Sequence, residues 1–427
     1  MRKRMDVLII GFMLFANFFG AGNLIFPPFL GATSGSNWLT SFVGFIVADI
    51  GIILLSIYAI AKAGSYQNIA SRAGKRFGIS IELIMMLCLG PILVIPRTSA
   101  TTFELSIAPI FGDFNKVIFS IIFFTLVFLL TMRPSKTVNI IGKYLTPVLL
   151  VTLFVLIVKG IISPLGDIKT DINSESLFAH GLTQGYQTMD ALGMGGVVAF
   201  IIASFKSRGY SDKKEVASLT IKASLIAGIG LIMVYGGLAF LGATMSNSYN
   251  GLMSQTELLS SITRGLLGNL GTILLGIIVA CACFTTAASL TSITAKYFSD
   301  LTKNKIKYEY LVMGICIYST IMSNLGVDRI IAIAVPILTV LYPVAIILVL
   351  LSSMPKIFTT DSMFKGAAYT TLVISTLTVI DSFGISIGFI HKLPFNNLGF
   401  NWIIPALIGA FVAKLISNIT SKVIYND

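Results

Sequence analysis

The chain has 427 residues, 55% hydrophobic and only 11% charged, whereas a soluble domain carries about a quarter charged residues. That composition excludes a soluble globular protein and indicates a polytopic membrane protein. A net charge of +12 would suit a nucleic-acid binder, but the bases stand in short clusters between apolar runs, the pattern that orients a membrane protein.

Apolar runs long enough to cross a bilayer predict an all-α fold of twelve transmembrane helices. They lie at about 6–30, 40–61, 81–103, 116–132, 140–161, 182–204, 218–243, 269–297, 309–325, 329–351, 367–388 and 401–420. The third is the most irregular, being interrupted by Gly90-Pro91 and Pro96-Arg97. With a cytoplasmic N-terminus, 23 of the 30 bases fall on cytoplasmic connections, among them Arg2–Arg4, Lys62, Arg72, Lys75, Arg76, Lys206, Arg208, Lys213 and Lys214. Only Lys116, Lys159, Lys169, Arg264, Arg329 and Lys392 fall outside. This alternation supports the span count and places both termini in the cytoplasm. Met1-Arg2-Lys3-Arg4 leads straight into a first span too long and irregular for a cleavable signal.

The long outer connections, 162–181 and 244–268, are polar. Leu252 to Leu267 reads as an ordinary surface helix, the alternative being a cover over an external vestibule. Cys88, Cys281, Cys283 and Cys316 all lie in apolar segments. Cys281 and Cys283, two apart, face different directions on a helix and make a poor metal pair. His180 and His391 sit in polar connections with no neighbouring ligand cluster.

The first span is the informative one. It reads Phe15-Ala16-Asn17-Phe18-Phe19-Gly20-Ala21-Gly22-Asn23-Leu24-Ile25-Phe26-Pro27-Pro28, with glycines, asparagines and prolines where a plain membrane helix carries aliphatics. Glycine permits unusual dihedrals and proline removes backbone donors, so this span breaks near the midplane. Bare backbone at that depth must be buried in protein or line a cavity. The sixth span, Gly185-Tyr186-Gln187-Thr188-Met189-Asp190-Ala191-Leu192-Gly193-Met194-Gly195-Gly196, is interrupted in the same way. Spans one and six each open a set of five. Because five is odd, the second set runs inverted to the first, which is the pattern of secondary transporters with a midplane binding site. The resulting division is a first repeat at 1–161, an inverted repeat at 182–351 and two further helices at 352–427. Three ionisable residues, Asp49, Arg97 and Asp190, lie within spans and are functional candidates for that reason.

Phe18-Phe19-Gly20-Ala21-Gly22-Asn23-Leu24-Ile25-Phe26-Pro27-Pro28 resembles the first-span signature of the bacterial branched-chain amino acid:cation symporters, the BrnQ-like (LIVCS) family. Ile95-Pro96-Arg97-Thr98, Gly185-Tyr186 with Thr188-Met189-Asp190, and Thr285-Thr286-Ala287 extend the resemblance over essentially the whole chain. The family is similar in turn to the leucine-transporter fold of five plus five inverted helices. The resemblance implies uptake of leucine, isoleucine and valine across a bacterial inner membrane, driven by symport with a monovalent cation. Na+ is favoured over H+ as that ion, and no further cofactor is implied.

A zwitterionic substrate needs donors for its carboxylate and acceptors for its ammonium, and half-helix ends supply both. Gly20, Ala21, Gly22 and Asn23 are therefore candidate carboxylate ligands, with Tyr186, Thr188 and Asp190 on the opposite side. Asp190 would receive the substrate ammonium or a proton, or pair with Arg97 as a structural bridge. Phe18, Phe19, Met189 and Met194 are candidate pocket walls, though in a chain with 30 Phe and 15 Met ordinary packing is the better account of them. By resemblance, Thr285 and Thr286 fall on the span-eight hydroxyl pair that ligates Na+, and the carbonyls of Ala16, Phe19 and Ala282 fall on the matching backbone ligands. The plain alternative is that both hydroxyls bond back to carbonyls of their own helix. Phe18 stands where a second sodium site needs a small residue, so one coupling ion is expected. No P-loop or H-E-x-x-H occurs, which disfavours ATP-driven transport and an intramembrane metalloenzyme. A carrier of a different amino acid or a nucleobase is the alternative.

Overall fold

The computed structural model describes residues 2–132, 146–170 and 176–424, and every regular element among them is helical. Eight helical runs are long and apolar enough to cross a membrane, from Gly22–Ala63 to Ile403–Thr420, and Lys116–Thr131 and Leu150–Ile162 are shorter apolar helices. The start of the fifth predicted span, 140–145, lies outside the described residues.

The first predicted span is two helices, α1 (Arg2–Phe18) and α2 (Ala21–Ser34). A 3-10 turn at Gly35–Asn37 leads to α3 (Trp38–Ile46), and a π-helical turn at Val47–Gly51 joins α3 to α4 (Ile52–Ala63). After α5 (Tyr66–Ser71), the irregular third span is a chain of short pieces: α6 (Lys75–Leu87), a π turn kinked at Gly90, α7 (Val94–Thr102), a second π turn and α8 (Ala108–Phe111). α9 (Lys116–Thr131) and α10 (Thr146–Ile162) follow. The sixth span is again divided, into α11 (Leu177–Tyr186), a 3-10 turn at Asp190–Gly193 and α12 (Met194–Ser207).

The remaining helices are α13 (Lys213–Ala243), α14 (Gln255–Leu301), α15 (Tyr308–Ser323), α16 (Val327–Ser353), α17 (Asp361–Ser382) and α18 (Ile403–Ile424). From Gln255 on, the outer pattern at Leu252–Leu267 belongs to α14. It bends away from span eight at Gly268, whose φ of 63° and ψ of −153° suit glycine. Leu258, Leu259 and Ile262 bury it against the bundle, and Ser254 with Glu257 closes a capping box at its start. His180, expected in a loop, lies on α11, where its Nε2 is 3.1 Å from Thr33 Oγ1.

The packing follows a reciprocal scheme. α1 and α2 lie on α13, while α11 and α12 lie on α3 and α4. α14 lies on α7, and α15 on α9. α9 also meets α14, while α7 also meets α15. Glycines make two of these crossings close. A Cβ at Gly31 or Gly242 would strike the carbonyls of Ala239 or Pro28 between α2 and α13. One at Gly44 or Gly181 would strike those of Phe178 or Ser41 between α3 and α11. A smaller hydrophobic cluster around Phe123, Phe124, Val127, Val312 and Ile315, on α9 and α15, is separate from the main core. Outward, Val117, Ile121, Ile122, Leu126 and Leu129 on α9 and Phe411, Leu415 and Ile419 on α18 are exposed. Apolar bands of that extent suit contact with lipid.

Candidate functional site: two helix breaks facing one another

α1 ends because Phe18 is followed by Phe19 and an extended Gly20 (φ −107°, ψ −172°). The Gly20 amide donates to the Phe18 carbonyl at 3.1 Å and to Asn23 Oδ1 at 3.3 Å. Asn23, at the third position of α2, thus caps its own helix. The Gly20 amide is thus already engaged in this state, while Asn23 reaches back to it. The first-turn amides after it still lack intrahelical acceptors. The side chains of Ala16, Asn17 and Ala21 lie outside the described residues.

The second break is longer. Gln187, Thr188 and Met189 turn the chain through 3-10-type bonds, and Met189 takes left-handed dihedrals (φ 65°, ψ 8°). A non-glycine residue in that region is held by its surroundings. Two neighbours do the holding. Arg97, 2% exposed, donates from Nη1 to the Gln187 carbonyl at 2.6 Å and from Nη2 to the Thr188 carbonyl at 3.4 Å. Asp49, fully buried on the π turn between α3 and α4, stands with Oδ1 2.9 Å from Thr188 Oγ1. Arg97 therefore binds backbone carbonyls and is not the bridge to Asp190 that the sequence allowed.

The two breaks meet at Asn23. Its Nδ2 donates to Asp190 Oδ2 at 2.7 Å and contacts the Tyr235 hydroxyl at 2.5 Å. Tyr235 is flanked by Phe19 and Phe45, at ring distances of 6.1 and 5.6 Å. Gly22 lies directly against the guanidinium, since a Cβ there would be 2.6 Å from Arg97 Nη2. The Tyr186 ring lies 4.5 Å from that of Tyr342, tilted by 32°. The Asp49 Oδ2, Tyr186 hydroxyl, Arg97 Nε and the whole Gln187 side-chain amide are buried without hydrogen-bond partners among the described residues. Buried polar groups are normally paired, so such a concentration marks a place where a polar ligand is wanted.

On the α14 side, a Cβ at Gly20 would come 3.8 Å from Thr286 Oγ1, so the Thr286 hydroxyl borders the first break. Thr285 donates to the Ala282 carbonyl at 2.8 Å, as the plain reading had it. That leaves its oxygen lone pairs available. Among the described residues no three His, Cys, Asp or Glu side chains group as a metal site. The oxygens on offer are neutral, which suits a monovalent ion. Phe18, Phe19, Met189 and Met194 are all buried.

Sequence reasoning missed Tyr235 and Gln187 and left Asp49 without a role. The signal for Tyr235 was a hydroxyl in the middle of the long apolar stretch that ends the seventh span. Nothing local marked Asp49 as the partner of Thr188, because that pairing crosses 139 residues.

Comparison with known proteins agrees with the geometry. Residues 3–420 match the family described as branched-chain amino acid transport protein. The branched-chain amino acid permease BraB of Bacillus subtilis is 35% identical over 425 residues, covering 96% of this chain and 95% of the relative. The permease BrnQ of the same organism is 34% identical, covering 97% and 98%. Among solved structures, Mhp1, a nucleobase-cation-symport-1 family transporter in a closed conformation, superposes with a TM-score of 0.64 at 13% identity, over 97% of this chain and 93% of its own. A manganese transporter of Eremococcus coleocola gives 0.56 at 14% identity, over 97% and 95%. At those identities the likeness shows the fold alone. The relatives are permeases rather than enzymes, and the chain belongs to the family of branched-chain amino acid transport proteins, as a multi-pass membrane protein.

Proposed function

We propose that the protein imports leucine, isoleucine and valine across a bacterial cytoplasmic membrane by symport with Na+, through alternating access. The observation that carries this reading is the link between the two helix breaks, Asn23 to Asp190 at 2.7 Å, with unpartnered polar groups gathered around it. The amides of Ala21, Gly22 and Asn23 at the positive end of α2 suit the substrate carboxylate. Asp190, half-buried, suits the ammonium, with Tyr186 and Thr188 beside it. Na+ is assigned to the Thr285 and Thr286 hydroxyls with the carbonyls of Ala16, Phe19 and Ala282.

The reciprocal packing supports the reading of twelve spans as two inverted repeats, 1–161 and 182–351, followed by two helices at 352–427. Exchanging the first with the sixth span and the second with the seventh turns one set of contacts into the other. Ties at the two ends fit an occluded state. Asp6 on α1 accepts from Arg208 at 2.5 Å and from Tyr210 at 2.9 Å. At the opposite end Glu104 accepts from Thr256 at 2.8 Å and from the Val327 amide at 3.0 Å. With the termini cytoplasmic, the first set closes the inner face and the second the outer.

The test is uptake of radiolabelled leucine by the purified protein in proteoliposomes, with sodium and proton gradients imposed separately. Accumulation with an inward sodium gradient is the expected result. No accumulation of leucine, isoleucine or valine under either gradient would refute the reading.

A further inference from the structure

Thr188 Oγ1 has two oxygens within hydrogen-bond distance, Asp49 Oδ1 at 2.9 Å and the Gly185 carbonyl at 2.8 Å. A hydroxyl carries one hydrogen, and an ionised Asp49 and a carbonyl are both acceptors. If Asp49 were a carboxylate, the two would compete for that single proton. The other Asp49 oxygen, Oδ2, has no partner, and the residue is 0% exposed. An ionised carboxylate held in that way would be left with a fraction of one hydrogen bond, and buried groups in that position neutralise instead.

No other nearby donor reaches Asp49: the Tyr186 hydroxyl, Arg97 Nε and Gln187 Nε2 have no partner at all among the described residues, and the rest are engaged elsewhere. Arg97 on α7 is aimed at the carbonyls of Gln187 and Thr188. Asn23 on α2 is bonded to Asp190, the second acid facing Asp49, on the 3-10 turn after the sixth break. The remaining titratable groups around Asp49 are Tyr186 on α11, Tyr235 on α13 and Tyr342 on α16. None is a cation. A proton on Asp49 Oδ1 resolves the geometry at once. The acid donates to Thr188 Oγ1, the Thr188 hydroxyl donates to the Gly185 carbonyl, and Oδ2 becomes a neutral carbonyl oxygen.

We propose that Asp49 is a proton-binding site of the transport cycle, loaded in this occluded state and held there by Thr188. The proton is a second cation, additional to the sodium at Thr285 and Thr286. Because Thr188 lies in the sixth break, any opening that moves the break away from α3 and α4 removes the acceptor and lets water reach the acid, so proton release is tied to the conformational change. The π turn that carries Asp49 is of a kind found often at functional sites. This inference rests on the carrier reading above, and its test includes a readout that does not.

The experiment uses the full chain in proteoliposomes with no sodium gradient. Leucine accumulation driven by an inward proton gradient is expected in the wild type and lost in Asp49→Asn, whose amide can donate to Thr188 as the protonated acid does. The residual leucine exchange of this variant, whatever its rate, should be flat with pH where the wild type varies. Thr188→Val, which deletes the acceptor, should move the wild-type pH dependence toward lower pH. Independently of transport, infrared difference spectra should show a buried protonated-carboxyl stretch in the wild type at neutral pH that disappears in Asp49→Asn. An unchanged band, or an Asp49→Asn variant with wild-type pH dependence, overturns the proposal. If the wild type exchanges no branched-chain amino acid, the carrier reading fails, while the infrared band still decides whether Asp49 holds a proton.

Discussion

The two helix breaks do the same geometric work by different means. The first is stabilised from within, since Gly20 is extended and Asn23, three residues on, caps its amide. The second is stabilised from outside, by Arg97 and Asp49 on neighbouring helices, and it bends through a left-handed methionine where the first has glycine. A break that supplies its own caps survives changes elsewhere. A break that borrows them responds to whatever moves its neighbours, which is the property a gate needs.

The largest effect should come from untying the borrowed caps. Arg97→Met removes two charge-assisted bonds and leaves the Gln187 and Thr188 carbonyls buried and unpaired, at a cost of about 3–5 kcal/mol. Unfolding in detergent should show that loss, together with abolished uptake. Wild-type stability would mean that the sixth break holds its own shape. Next, Gly22→Ala places a Cβ 2.6 Å from Arg97 Nη2, and overpacking of that kind costs about 1–3 kcal/mol. It should disturb the sixth break although it lies in the first, which cross-linking or protease accessibility around Gln187 can read.

Asn23→Ala tests the self-made cap. It removes the Gly20 contact and the bonds to Asp190 and Tyr235, and leucine affinity should fall about tenfold, for roughly 1.4 kcal/mol. An unchanged affinity would detach Asn23 and Asp190 from the substrate. The smallest effect falls on the ion side. Thr286→Ala should raise the sodium concentration for half-maximal uptake by a few fold, as for the loss of about 1 kcal/mol. Thr285→Ala should act in the same direction, because that hydroxyl donates to the Ala282 carbonyl and keeps its lone pairs free. The double variant with unchanged sodium dependence would remove the ion from this place.

Much of the first break was legible in the sequence. Glycine and asparagine in an apolar run have few reasons to be there, and the capping geometry spans only three residues. The interruption of the sixth span was legible for the same reason. Arg97 and Asp49 were visible as charges that do not belong in a membrane, but their partners were not. The same letters are compatible with an Arg97–Asp190 bridge, and only the arrangement of α7 against the break sends the guanidinium to carbonyls instead.

What the sequence determined by itself was composition, periodicity and interruption: a membrane protein, long apolar runs, and two of them broken at matching places. Those properties are local, set by backbone donors, side-chain size and the energetics of polar groups in hydrocarbon over a few residues. Only the tertiary structure decided which buried polar group meets which. Asn23 reaches Asp190 across 167 positions and Asp49 reaches Thr188 across 139, and at that separation a hydrogen bond depends on how whole helices pack.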